Sequence, residues 1–153
     1  MQRTFIVTAI LAAVLVSAVT LGIQTNVALK VAGHRSTELR ELTDVERWKV
    51  FLYEHSITHG LSYREFRLLR EIVRAESTWR MYGEDGSVLR GTVNKQDLGL
   101  AQINEFYHQK VADELGYDIH SPEGNLKMLV YLYLRDGTSP WVYSQVAWAG
   151  KIK

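Results

Sequence analysis

Glu76 continues the apolar stripe of a predicted helix, at a position where a buried side chain is expected. Phe66, Leu69, Ile72 and Val73 recur at helical intervals, and Glu76 follows Ile72 by four residues and Val73 by three. Burial and the negative end of the helix both disfavour the anion, so the pKa of Glu76 should rise. A carboxyl group that keeps its proton near neutral pH can protonate a leaving oxygen, as the general acid does in glycoside cleavage.

The alternative for Glu76 is a solvated glutamate that pairs with Arg80, four residues further along the same helix. A second segment, DLGLAQIN at residues 97–104, favours the catalytic interpretation. It contains the acid Asp97, the amides Gln102 and Asn104, and a glycine at which the backbone can approach a ligand. Together the two segments predict the lining of a sugar-binding cleft.

The same two segments resemble a known family. AEST at residues 75–78, a turn-rich stretch and then DLGLAQIN resemble the lytic transglycosylases, whose pattern is Glu-Ser, a variable segment and Gly-Leu-Met-Gln-Ile-Asn. The resemblance covers roughly residues 42–150. It implies a lysozyme-like fold and a murein lytic transglycosylase, which cleaves the β-1,4 bond between MurNAc and GlcNAc and forms 1,6-anhydroMurNAc. The glycan strands of peptidoglycan are therefore the expected partner.

The resemblance also implies roles for individual residues. Glu76 would be the catalytic acid, which then turns base, while Ser77, Gln102 and Asn104 would line the cleft around the glycan. Two alternatives stay open for these polar side chains. Ser77 could bond back into its own helix, and Gln102 and Asn104 could cap or brace the loop.

Some positions depart from the family pattern. Ala101 stands where methionine is usual, as in members attached to secretion systems. The partner assembly stays open among a secretion apparatus, a phage particle, a pilus and general wall turnover. Ala147 and Trp148 stand where the family has the Tyr and Asn of a closing Tyr-Asn-x-Gly. Trp148 and Trp79 are candidates for stacking on a sugar ring, with a place in the core as the alternative.

Asp97 leaves a second enzyme class open. In c-type lysozymes, a second carboxylate precedes a similar Gly-x-x-Gln-Ile-Asn run, so a muramidase would use Glu76 and Asp97. Those lysozymes rely on disulfides, and this chain has no cysteine, which favours transglycosylation. Glu84 and Asp85 are further acids, but GEDGS is typical of a solvated turn. A catalytically silent peptidoglycan-binding module is the alternative from another class.

Metal, cofactor and nucleic-acid functions have little support in the sequence. The five histidines show no HExxH spacing, and there are no thiols to complete a zinc site. No metal and no cofactor are expected. The formal net charge of +1 gives no field that would attract nucleic acid, so nucleic acid is not an expected partner.

The chain divides into three predicted parts. Residues 1–23 contain a long apolar run behind a single basic residue, which is typical of a signal anchor or a signal peptide. Residues 24–41 are interpreted as a polar tether, and residues 42–153 as the lysozyme-like domain. We expect a membrane-anchored protein whose catalytic domain lies in the periplasm or outside the cytoplasm, or a secreted one if the segment is cleaved.

The elements that must position these residues are mostly helical. Amphipathic helices are predicted over residues 42–60 and from a capping box at Ser62, and helical spacing resumes from Leu100 to Gly116. Ser121 and Ser139, each followed by proline, begin two more helices. Residues 82–98 lack the helical period and predict a small β-hairpin or loop. The fold class is α+β and mostly α-helical, preceded by an N-terminal hydrophobic helix.

Overall fold

The computed structural model describes residues 42–151. The predicted N-terminal hydrophobic helix (1–23) and the polar tether (24–41) lie outside the described residues. Within the described part of the chain, no helix is both long enough and apolar enough to cross a membrane.

Helices dominate the described chain, and a two-stranded sheet completes it, which confirms the mostly helical α+β class. Three helices of 15 residues each form the frame: α1 (Asp44–Thr58), α2 (Tyr63–Ser77) and α4 (Pro122–Asp136). The remaining elements are β1 (Asp97–Leu98), β2 (Ile103–Asn104), α3 (Glu105–Leu115), a 3-10 helix η1 (Ser139–Ser144), α5 (Gln145–Trp148) and a second 3-10 helix η2 (Ala149–Lys151). The core lies where α1 packs against both α2 and α4, and it extends to the hairpin and to the final segment.

Helix α2 forms as its sequence predicts. Ser62 is the N-cap, and its side chain and that of Glu65 complete a reciprocal capping box. The predicted apolar stripe is buried, with Leu69 and Ile72 wholly inaccessible to solvent. The helix ends where Thr78 adopts a left-handed conformation with φ of 56°. This stop leaves Glu76 in the last turn, at the edge of the core.

The helix predicted from Leu100 is wrong at its N-terminal end. Residues 97–104 form the antiparallel pair β1 and β2, with Asp97 opposite Asn104 and Leu98 opposite Ile103. Gln102 has a φ of 51°, which no α-helix accommodates, and α3 begins only at Glu105 with Asn104 as its N-cap. The apolar residues that suggested a helix are instead buried around a tight turn. The predicted end at Gly116, which caps the helix with φ of 69°, is confirmed.

The other local predictions are confirmed in outline. Tyr82 bridges Val88 across the turn at Gly86, and Arg90 bridges Leu98, so residues 82–98 form irregular β-structure. Helix α4 runs from the N-cap Ser121 to Asp136, as expected. The last predicted helix is replaced by three short elements, η1, α5 and η2, and Trp141 within η1 has a non-helical backbone conformation.

Candidate active site

Glu76 lies at the centre of a surface cleft. Two pockets of about 360 Å³ each adjoin it, and both are lined by the Glu76 side chain. The residues shared by the two pockets are Glu76, Asn94, Asp97, Gln102 and Tyr143. The cleft therefore extends on both sides of the Glu76 carboxyl group, as the binding of an extended substrate would require.

The environment of Glu76 favours its protonated form. Burial raises the pKa of Glu76 above its ordinary value, and the negative charge of Asp97 raises it further. A hydrogen bond from Ser144 stabilises the anion and opposes this shift, but the net direction is upward. The rise that the sequence predicts for this pKa therefore agrees with the site, and burial is its largest cause.

Ser144 holds one oxygen of the Glu76 carboxyl. The Ser144 hydroxyl donates to Glu76 Oε1 at 2.5 Å and also lies 3.1 Å from the Trp141 carbonyl. Trp148 Nε1 donates to the same hydroxyl at 3.0 Å. The broken final helix thus brings a serine onto the carboxyl group at the end of α2.

Asp97 lies on β1 and lines both pockets. Its Oδ1 accepts one hydrogen bond from Asn104 Nδ2 at 2.7 Å and another from Asn94 Nδ2 at 3.1 Å. The antiparallel register explains the first of these, since Asp97 and Asn104 are cross-strand partners. The hairpin therefore presents an oriented carboxylate to the cleft.

Gln102 and Asn104 both line the cleft and brace the hairpin. Gln102 Nε2 donates to the Gly99 carbonyl at 2.9 Å. Its Oε1 lies close to Gly91, because a Cβ atom added to that glycine would be only 3.0 Å from this oxygen. Asn104 Oδ1 accepts from the Tyr107 backbone N–H at 3.2 Å and caps α3. These two amides thus combine the lining role with the bracing role that the sequence left open.

Ser77 does not line either pocket, and it bonds mainly to the turn between β1 and β2 rather than back into its own helix. The side chain is 3% exposed, and its hydroxyl bonds to the Leu100 carbonyl at 2.8 Å and lies 3.3 Å from the Val73 carbonyl. A hydroxyl has one proton to donate, so the shorter contact with Leu100 dominates. Ser77 ties the turn between β1 and β2 to the end of α2.

Two more buried side chains hold the same turn. Asn125 of α4 accepts from the Ala101 N–H at 2.9 Å and donates to the Leu98 and Ile119 carbonyls, both at 3.0 Å. Trp141 Nε1 donates to the Ala101 carbonyl at 2.9 Å. Together with Ser77, these side chains fix the backbone of residues 98–101 from three different elements. This three-point clamp places Asp97 and Gln102 relative to Glu76.

The tryptophans proposed to stack on sugar lie elsewhere. Trp148 is 4% exposed and lines a separate pocket with Arg64 and Tyr133, so it reaches the cleft only through Ser144. Trp79 is 6% exposed, and Lys49 lies over its ring. Both occupy the core, which agrees with the alternative that the sequence left open.

The remaining acid candidates behave as turn residues. Asp85 accepts from the Ser87 hydroxyl and backbone N–H, at 2.7 Å and 3.0 Å, and these bonds lower the pKa of Asp85. Glu84 is exposed in the same turn. Neither acid is among the residues that line the two pockets beside Glu76.

Sequence analysis missed several cleft residues. Tyr107 and Tyr143 expose their rings on the cleft, Trp141 and Asn94 line it, and Ser144 contacts Glu76. The aromatic residues of the SPWVYS segment were the available signal, but a helical prediction gave no reason to place them beside Glu76. Among the described residues, no group of three or more metal-binding side chains occurs. Comparison of the chain with protein-family models, curated proteins and solved structures finds no match.

Proposed function

We propose that this protein is a murein lytic transglycosylase with a lysozyme-like domain, acting on the glycan strands of peptidoglycan. The observation that carries the proposal is the carboxyl group of Glu76, whose burial raises its pKa at the centre of an extended cleft. Because its pKa is raised, Glu76 keeps its proton to higher pH than an ordinary glutamate does, and this proton can be donated to a glycosidic oxygen.

The proposed reaction uses Glu76 twice. First, its carboxyl proton moves to the oxygen that bridges MurNAc and GlcNAc, and the bond from the MurNAc C1 to that oxygen breaks. The GlcNAc side leaves with the new hydroxyl group. The MurNAc 6-hydroxyl oxygen then bonds to C1, and its proton passes to the Glu76 carboxylate. The anhydro ring closes without water, so one acid is sufficient.

The lining of the cleft supports a glycan as substrate. Amide groups of Asn94, Gln102 and Asn104 offer both donors and acceptors to sugar hydroxyl and acetamido groups. The exposed rings of Tyr107 and Tyr143 provide apolar faces against which the faces of sugar rings can pack. Pockets for small ligands commonly combine aromatic surface with a few polar groups in this way.

A muramidase is the second candidate, and Asp97 is the observation that favours it. Asp97 lines both pockets with Glu76, and its charge is close enough to raise the pKa of Glu76. A hydrolase would use this second carboxylate as nucleophile, electrostatic stabiliser or base for water. Transglycosylation needs no such role, and Asp97 would then orient the hairpin and bind substrate.

Glu76→Gln in the full-length protein tests the proposal. Release of soluble fragments from purified peptidoglycan should fall by about 10²–10⁴-fold, because the amide keeps the shape and loses only the transferable proton. Glu71→Gln is the matched control, since Glu71 lies on the same helix and pairs with Arg74 away from the cleft. Near wild-type release by Glu76→Gln would refute the proposed role of Glu76.

We also propose that residues 1–23 anchor the protein to the membrane, with the catalytic domain in the periplasm or outside the cytoplasm. The long apolar run supports this. Fractionation of cells should recover the full-length chain with membranes. A soluble form whose N-terminus begins near Val19 would instead show cleavage of a signal peptide.

A further inference from the structure

The Ser144 hydroxyl group is at the centre of a directional hydrogen-bond network. The indole N–H of Trp148 can only donate, and it lies 3.0 Å from Ser144 Oγ and 3.3 Å from the Trp141 carbonyl oxygen, so its shorter contact is with Ser144. The hydroxyl proton then has two acceptors, Glu76 Oε1 at 2.5 Å and the Trp141 carbonyl at 3.1 Å. The contact with Glu76 is the shorter, so the network runs from Trp148 through Ser144 to the carboxyl group.

The two oxygens of Glu76 are therefore not equivalent. Oε1 accepts from Ser144. Oε2 has no hydrogen-bond partner among the described residues, and this oxygen is accessible to solvent rather than buried. Because Glu76 lines both pockets, this free oxygen opens to the cleft.

We propose that Ser144 is a positioning residue that keeps the reactive proton of Glu76 on Oε2, the oxygen that faces the substrate. The inference rests on the proposed transglycosylase function and assigns a residue that the family pattern does not supply. While Ser144 donates to Oε1, the carboxyl proton is directed to the other oxygen. The acid is then presented in one orientation rather than two.

The same contact serves both steps of the reaction. When Oε2 gives its proton to the glycosidic oxygen, Glu76 becomes a carboxylate and the bond from Ser144 to Oε1 strengthens, since hydrogen bonds to a charged acceptor are the stronger ones. When the 6-hydroxyl closes the ring, its proton returns to Oε2. Ser144 keeps its own proton throughout, so it orients the acid and base without exchanging with it.

Trp148 supports this arrangement from behind the cleft. Its side chain is 4% exposed, and its donation to Ser144 Oγ restricts the rotation of the hydroxyl group toward Glu76. Trp148 therefore acts on the reaction through Ser144, although it does not line either pocket beside Glu76.

Ser144→Ala in the full-length protein tests the proposal through rates on purified peptidoglycan over a range of pH. The rate should fall about tenfold to a hundredfold, the usual effect of losing a hydrogen bond to a charged group. The alkaline limb of the profile should move to higher pH, because the bond that lowers the pKa of Glu76 is gone. Ser144→Thr, which keeps the hydroxyl, should restore most of the rate and the wild-type limb.

Two further variants complete the test. Trp148→Phe keeps an aromatic side chain at this buried position and removes the N–H donor, so its loss of rate should be smaller than that of Ser144→Ala. Ser87→Ala, in an exposed turn distant in sequence and outside the cleft, should behave as wild type. An unchanged rate and limb in Ser144→Ala would overturn the proposal. So would a rate loss with an unmoved limb that Ser144→Thr fails to restore.

A readout without turnover separates this inference from the proposed function. The carboxyl carbon of Glu76 can be titrated by ¹³C NMR in wild type and in Ser144→Ala. The midpoint should be higher in the variant. Equal midpoints would refute the role of Ser144 even in an active enzyme, whereas a wild type without glycan cleavage would refute the proposed function instead.

Discussion

The three-point clamp on residues 98–101 predicts that Asn125→Leu is severely destabilising. Asn125 is wholly buried and makes three hydrogen bonds, at 2.9, 3.0 and 3.0 Å. Leucine has the same branched shape and number of side-chain heavy atoms, although it is larger, so the site stays filled while the Ala101 N–H and the Leu98 and Ile119 carbonyls lose this partner. At about 1 kcal/mol for each bond, the free energy of unfolding should fall by about 3 kcal/mol.

For a domain of this size, that loss corresponds to a fall of about 10 to 15 °C in the unfolding midpoint. Thermal unfolding followed by circular dichroism at neutral pH measures it. Gln109→Leu is the matched control, because its amide makes one hydrogen bond to Asp113 and leaves Oε1 buried without a partner. The control should change little. A midpoint for Asn125→Leu within a few degrees of the control would refute the clamp.

Three further predictions follow from the same contacts. Asp97→Asn should keep anhydro-forming activity, reduced by no more than about a hundredfold, because its Oδ1 still accepts from Asn104. The alkaline limb of the pH–rate profile of this variant should move to lower pH, because a negative charge that raises the pKa of Glu76 is removed. Gly99→Ala should destabilise the fold and lower activity, because φ is 66° and an added Cβ would lie 2.6 Å from Met81 Sδ; thermal unfolding measures it. Glu76→Gln should be more stable than wild type at pH 7 but not at pH 4, both measured by urea unfolding.

The sign of the last prediction follows from proton binding. The folded state holds the Glu76 proton to higher pH than the unfolded chain does, because its pKa is raised. Wild-type stability is therefore lost as pH rises from the ordinary glutamate range through the folded pKa. Glutamine does not ionise, so the variant escapes this loss. Equal differences in stability at the two pH values would contradict the raised pKa.

Local signals in the sequence were sufficient to predict the helices that carry Glu76 and Asn125. The capping box of Ser62 and Glu65 and the Ser121-Pro122 start each involve residues that are close together in the sequence, and the same is true of the glycine stop at Gly116 that ends α3. Such signals depend little on the rest of the fold, so they can be recognised from sequence alone.

The turn and the final segment could not be predicted in the same way. Leu100 and Ala101 fit an apolar helical pattern, but they are buried because Ser77, Asn125 and Trp141 bind their backbone from distant elements. The contact between Ser144 and Glu76 joins residues 68 positions apart. Sequence periodicity carries no information about pairings of that range, which depend on tertiary packing.

The most direct test of the proposed function is mass spectrometry of the fragments released from purified peptidoglycan by the full-length protein. Transglycosylation predicts muramyl ends that are lighter by one water than hydrolytic ends, and none of them with Glu76→Gln. Reducing muramic ends alone, together with an Asp97→Asn variant as inactive as Glu76→Gln, would contradict the proposal and identify a muramidase.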